Sequence, residues 1–260
     1  MPTTYAHYTF GKEVLKYLDD EIREIIAENI ELYNIGVHGP DILFYYGPLK
    51  SNRINKIGNE IHGKKAAYFF ENAKKIICEC SDIKAACSYA MGFICHFMLD
   101  SECHPYIRQK EKTISHGEIE TEFDRALMIK NGLNPISYKP TSHIISKIDY
   151  AKCISGFYEN ISYNEILKSL KSMKICLNLL VAPGRIKRVV IINALRLTGN
   201  NDKIGLIMRY EPNPKCEEIN VKLTELYSDA IMMTTDIING FYKNLYSKHP
   251  LNERFNRSFE

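Results

Sequence analysis

Between Gly92 and Glu120 the chain carries two histidine–carboxylate pairs, His96 with Asp100 and His116 with Glu120, each with i, i+4 spacing. On an α-helix, residues at that spacing lie one above the other, so each pair presents an imidazole and a carboxylate in one direction. Two such helices facing each other make a cage, and that requirement constrains the fold more than any other feature. His104 stands one further step along from Asp100, immediately before Pro105, which predicts that the first helix ends there and the chain turns towards the second. The neighbours of the first pair are Met91, Phe93, Ile94, Phe97, Met98 and Leu99, among which a buried His and Asp are costly unless paired or holding a metal. A lone His-x-x-x-Asp pair usually marks a surface ion pair or a satisfied core histidine. Its repetition within 25 residues points to a metal site instead. Nitrogen and oxygen donors without a thiolate set favour zinc or a similar first-row metal.

The rest of the chain reads as helical. An amphipathic helix is expected from Gly11 to about Tyr33, one opening at His62 and running to about Cys80, and one from Ile83 to Asp100 whose inner stripe ends in His96 and Asp100. The second site helix passes through Phe123, Ala126, Leu127 and Ile129 and stops at Asn131-Gly132. Further helices are expected at roughly 151–161, 163–180, 184–197 and 220–246, after a Pro/Ser-bearing connector at 133–150. With no alternating strand series, repeat or low-complexity segment, the expectation is an all-α, single-domain multi-helix bundle over 1–260, with the metal site in 1–130 and a helical scaffold in 131–260. Asn34 to Pro48 contains Gly and Pro and reads as a loop. It carries His38, Asp41 and then Phe44, Tyr45 and Tyr46, a candidate substrate rim. His38 could orient a ligand or hydrogen-bond within its loop, and the loop is the expectation. His7 falls in a short leader where a lone histidine is ordinarily a surface residue, and His143 and His249 read as surface residues as well.

Length and composition fit a soluble globular chain: 260 residues, 45% hydrophobic, 25% charged, net charge +3. The basic excess is too small and scattered to imply a nucleic-acid partner, and the cluster Arg185-Ile-Lys-Arg188 reads as a solvated helix face. No signal peptide is expected, since the first residues lack a basic region followed by an apolar run, and no segment approaches the roughly 18 apolar residues needed to span a membrane. A cytoplasmic protein is the expectation. Eight cysteines without an export signal read as reduced thiols. Cys95 and Cys103 adjoin His96 and His104, but helix neighbours point about 100° apart, so neither is expected on the metal face. Cys78-Glu-Cys80 has no second matching pair and is a weak signal.

Taken together, the order His7, Asp41, His62, His96-x-x-x-Asp100, His104, His116-x-x-x-Glu120 resembles the ligand series of the zinc-dependent phospholipase C family, which the related S1/P1 nucleases share. The resemblance covers the first half of the chain in order and spacing; the second half resembles the family only in being helical. It implies an all-helical fold with a zinc cluster in a cleft. One zinc would be held by Asp41, His62, His96 and Asp100, another by His104, His116 and Glu120, and a third by His7 with a bridging Asp100. Family members complete the third site with the amino group and carbonyl of an N-terminal tryptophan, which this chain lacks. Loss of Met1 would let Pro2 stand in that place. Two or three zinc ions would bring a shared water towards hydroxide near neutral pH and neutralise charge on a phosphoryl oxygen and the leaving alkoxide. Asp41 is then a ligand and candidate catalytic proton acceptor. The function implied is a phospholipase C-like phosphodiester hydrolase acting on a phosphodiester or phospholipid, Glu120 resembling the phospholipases where the nucleases usually have Asp. The alternatives are an S1/P1-like single-strand nuclease, which would need aromatic platforms for bases, and a non-catalytic helical protein cemented by zinc.

Overall fold

Every residue from Ala85 to Ser101 is buried, a run that makes one helix the axis of the molecule. A helix apolar on all sides has no solvent face and must be surrounded. The computed structural model describes residues 4–260, and among these all regular structure is helical. The order is α1 (Thr4–Leu15), α2 (Asp20–Glu28), α3 (Ile30–Gly36), a 3-10 turn (Gly39–Tyr45), α4 (Arg53–Gly63) and α5 (Ala66–Glu79). The axial α6 (Ile83–Lys110) and α7 (His116–Lys130) follow, then α8 (Ile148–Ser155), α9 (Tyr163–Leu180), α10 (Arg185–Leu197) and α11 (Glu217–Lys243). Short 3-10 turns at Asn201–Leu206, Pro214–Cys216 and Glu253–Asn256 complete the chain. Helices α1, α2, α3, α5 and α11 pack around α6. No helix of the described residues is long and apolar enough to cross a membrane.

The closest crossing sets the register of the site. A Cβ on Gly36 of α3 would lie 2.3 Å from the Tyr89 carbonyl oxygen, and one on Gly92 of α6 would lie 2.2 Å from the Tyr33 carbonyl oxygen, so only glycines let these backbones touch. The chain then leaves α3 through Gly39, at φ +48°, where a Cβ would meet the His96 ring at 2.2 Å. The following 3-10 turn is thereby laid against His96.

Several expected boundaries shift for local reasons. The stretch expected as one helix from Gly11 to Tyr33 is three, interrupted at Asp19 (φ −55°, ψ 146°) and at Asn29 (φ −133°). His7 lies inside α1 and is buried, not in a leader: the Asp124 carboxylate accepts from the Tyr5 and Ala6 amides at 3.1 and 2.8 Å, satisfying donors that the helix start leaves open. His62 sits in the last turn of α4, which Asn52 caps, and does not open a helix. The loop carrying Asp41 is helical from Gly39 to Tyr45. Pro105 lies within α6 rather than at its end. It has no N–H for the Ser101 carbonyl, and Arg257 Nη2 donates to that oxygen at 2.5 Å. At Asn131-Gly132 the stop occurs as expected, with Gly132 at φ +70° and the Leu133 amide returning to the Met128 carbonyl.

Candidate metal centre

Three elements deliver the inner group: the 3-10 turn brings Asp41, the last turn of α4 brings His62, and α6 brings His96 and Asp100. His62 Nε2 lies 3.1 Å from Asp41 Oδ1 and 3.8 Å from Asp100 Oδ2, while His96 Nε2 lies 3.8 Å from Asp41 Oδ1 and 3.1 Å from Asp100 Oδ2. Four ligands about 2.0–2.1 Å from a tetrahedral zinc stand about 3.3–3.4 Å apart. The four contacts bracket that edge. None of these four atoms has a hydrogen-bond partner, although all are buried. Orphaned donors and acceptors in an apolar interior are costly; Asp41, His62 and His96 bring theirs close enough together to hold one ion, and Asp100 does so with His96 and His7.

Asp100 uses its other oxygen outward. Oδ1 lies 3.2 Å from His7 Nε2 and 3.7 Å from His104 Nε2, so the one carboxylate touches every part of the cluster. His7 also stacks on the His96 ring at 4.4 Å, and His7, His96 and Asp100 form a group able to hold an ion. The outer group joins α6 to α7: Glu120 Oε1 lies 3.6 Å from His104 Nε2 and 2.8 Å from His116 Nε2. Asp41, His62 and His96, and likewise His104, His116 and Glu120, are sets whose ligand atoms all lie within 4.8 Å of one another. Pro2 lies outside the described residues.

Three of the imidazoles, His62, His104 and His116, are held with Nε2 towards the centre by partners on Nδ1. His62 Nδ1 donates to the Gly58 carbonyl at 2.8 Å, His104 Nδ1 donates to the Phe259 carbonyl at 2.9 Å, and His116 Nδ1 meets the Glu111 carboxylate. Fixing the tautomer in this way is what ligating histidines require. Charge follows the same logic. Burial would raise Asp100, but His96, His104 and His7 hold it well below the usual carboxylate range. Burial likewise opposes ionisation of Glu120, yet the carboxyl is brought down to about 2, in part by hydrogen bonds from His104 and His116. His96 is lowered by burial. Ionised carboxylates and a neutral imidazole are the protonation states in which these groups bind metals.

Beside the cluster lies a cleft with Asp41 and Glu120 in its lining. Its walls are largely apolar, including Met128 from α7, Met173, Leu177 and Leu180 from α9, and Leu206 and Met208 beyond α10. Of the expected aromatic rim only Tyr45 lines it. Phe44 stacks on the His62 ring at 5.4 Å, and the Tyr46 ring carries Lys168 Nζ at 4.5 Å. His38 is hydrogen-bonded not within its loop but to His143, at 2.7 Å between the Nε2 atoms, and His143 stacks on Tyr8 at 3.8 Å. His143 is therefore a buried residue and not the expected surface one; His249 is exposed. Cys95 faces Tyr33 with its sulfur 3.2 Å from the hydroxyl, and no cysteine enters the potential metal groups of the described residues. Phe259 and the cleft walls from 173 to 208 gave no signal as site residues, because each looks like an ordinary apolar residue until the fold places it.

Comparison with known proteins yields one match. The family model described as zinc dependent phospholipase C matches residues 6–173, which include every described member of the cluster and, of the cleft-wall helices, α7 and α9 as far as Met173. No curated protein and no solved structure matches the chain.

Proposed function

This chain belongs to the zinc-dependent phospholipase C family, and from that premise we propose that it hydrolyses an amphiphilic phosphodiester, of the phospholipid class, at a zinc cluster. The observation that carries this reading is the cleft, which has two carboxylates of the cluster, Asp41 and Glu120, in its lining and aliphatic and methionine side chains along its walls. A phosphodiester with an apolar arm matches both parts.

Asp41, His62, His96 and Asp100 would hold one zinc, His104, His116 and Glu120 a second, and His7 with Asp100 a third. Bound zinc supplies positive charge to a phosphoryl oxygen and lowers the pKa of water towards neutrality. The chain's own residues do the rest. Asp100 spans the cluster with one oxygen on the inner cage and the other towards His7 and His104, fixing the spacing between the groups. Asp41 points Oδ1 towards His62 while lining the cleft, which supports a role in orienting an attacking water and taking its proton. Tyr45 contributes the aromatic contact to substrate, with Phe44 backing His62 and Tyr46 outside the cleft.

A single-strand nuclease would need stacked platforms for successive bases, and the aromatic residues lining the cleft are Tyr45 and Tyr138. Parallel assays on a chromogenic phosphodiester, on phosphatidylcholine and on single-stranded nucleic acid, with zinc chelated and restored, separate the readings. Zinc-dependent turnover of phosphatidylcholine is expected. Turnover of nucleic acid alone would overturn the lipid reading, and zinc bound without turnover of any of the three would make the metal structural.

A further inference from the structure

Residues 166–201 contain seven Lys or Arg and no Asp or Glu, in a chain whose net charge is only +3. α10 lies within that stretch. Its inner face, Ile191 and Leu195, packs with Ala182 and Ile207 in a small core separate from the main one. Its outer face is apolar as well: Ile186, Val189, Val190 and Leu197 are 83, 55, 60 and 89% exposed. A solvated helix face carries polar residues and charges of both signs. This one carries four large aliphatic side chains and one uncharged polar residue, Asn193, and the only charges beside them are cations.

Two of the cations are already engaged and tie α10 to the cleft. Lys187 Nζ donates to the Asn178 and Val181 carbonyls at the end of α9, and Arg188 donates to the Met208 carbonyl and lies over the Tyr210 ring. Arg185 and Arg196 are exposed and make no ion pair among the described residues. Leu180, at the end of α9, and Leu206 and Met208, beyond α10, are themselves cleft walls.

We propose that α10 is an interfacial helix whose outer face docks on an anionic lipid surface and sets the cleft against it. The lipid substrate of the proposed function makes this docking useful, and to that extent the inference rests on that reading; the binding itself does not require turnover. Aliphatic side chains enter the headgroup boundary while flanking cations meet lipid phosphates and carboxylates, the pattern of a helix lying in the membrane interface. Nucleic acid would gain nothing from the four outward aliphatic residues, which is why the lipid surface is favoured over a polyanion in solution.

The full chain, loaded with zinc, should sediment with vesicles of phosphatidylcholine plus phosphatidylserine, far less with phosphatidylcholine alone, and less as salt is raised. The chain has no tryptophan, so Ile186→Trp gives a single fluorescent probe whose emission should shift to the blue on the anionic vesicles. Ile186→Ser with Leu197→Ser, and Arg185→Glu with Arg196→Glu, should each lower partitioning roughly tenfold or more. Turnover of a water-soluble chromogenic phosphodiester should be unchanged in both. The proposal is overturned if the parent chain ignores anionic vesicles, if both variants bind them as the parent does, or if the arginine pair alone matters and a single-stranded oligonucleotide displaces the vesicles. Vesicle binding without phosphoester turnover would remove the hydrolase reading and leave α10 standing; turnover without vesicle binding would do the reverse.

Discussion

The inner and outer halves of the cluster use the same donor chemistry in opposite settings. Asp41, His62, His96 and Asp100 are buried, and the bond that orients His62 runs to the backbone of its own helix at Gly58. In the outer group His104 and Glu120 are buried too, but His116 opens outward: it is 36% exposed, and its orienting partner Glu111 is a solvent-exposed side chain. Closed tetrahedral sites hold metal tightly, whereas a site of three protein ligands leaves room for water or substrate. The contrast teaches that two His–carboxylate pairs of the same i, i+4 spacing can be set apart by burial alone; on the proposed reading the inner one would hold its ion and the outer one would exchange it.

Asp100→Asn should break the comparison altogether, since this carboxylate serves both halves. Metal content should fall by more than one ion and turnover by on the order of 1,000-fold; elemental analysis showing full metal would refute the shared-ligand arrangement. His116→Ala should separate the halves, removing one metal and on the order of 100-fold in turnover while the inner cage keeps its ion. A gentler cut is Glu111→Gln, which leaves every ligand in place but weakens the orientation of His116. Outer-site affinity should drop about tenfold in a competitive chelator titration, with inner-site affinity unchanged.

Beyond the cluster, His143 tests the packing behind it. Burial, aided by the charge of Lys174, pushes the His143 imidazole down to about 3. In the unfolded chain it takes up a proton near 6.5, so below that pH the unfolded state binds more protons and stability is lost as pH falls from about 6.5 towards 3. His143→Gln removes this contribution, and the unfolding free energy from urea titrations should then fall by about 1.5 kcal/mol less than the parent's between pH 6.5 and 5. The smallest effect is expected for Cys95→Ala and Cys103→Ala, which should cost about 1 kcal/mol of stability each and leave zinc stoichiometry unchanged. Loss of an ion in either would mean that the ligand face of α6 has been assigned to the wrong side.

What the sequence alone determined rests on local geometry. The spacing of His96 with Asp100 and of His116 with Glu120 puts each pair on one helix face whatever the rest of the chain does, and the apolar run around His96 requires that helix to be central. The helical character of the chain and its family were legible for the same reason. Tertiary structure alone decided which distant residues meet those pairs. His7 reads as an ordinary leader histidine until Asp124, 117 residues on, anchors the start of α1. Asp41 reaches His96 because Gly36 and Gly92 let two helix backbones touch. The tautomer of His104 depends on the Phe259 carbonyl, the buried state of His143 on His38 and Tyr8, and the cleft wall on aliphatic residues of α9 and beyond α10. None of these has a local pattern, because a contact across a hundred residues is set by how helices cross, and the same His, Leu or Met is functional or inert according to what that crossing brings beside it.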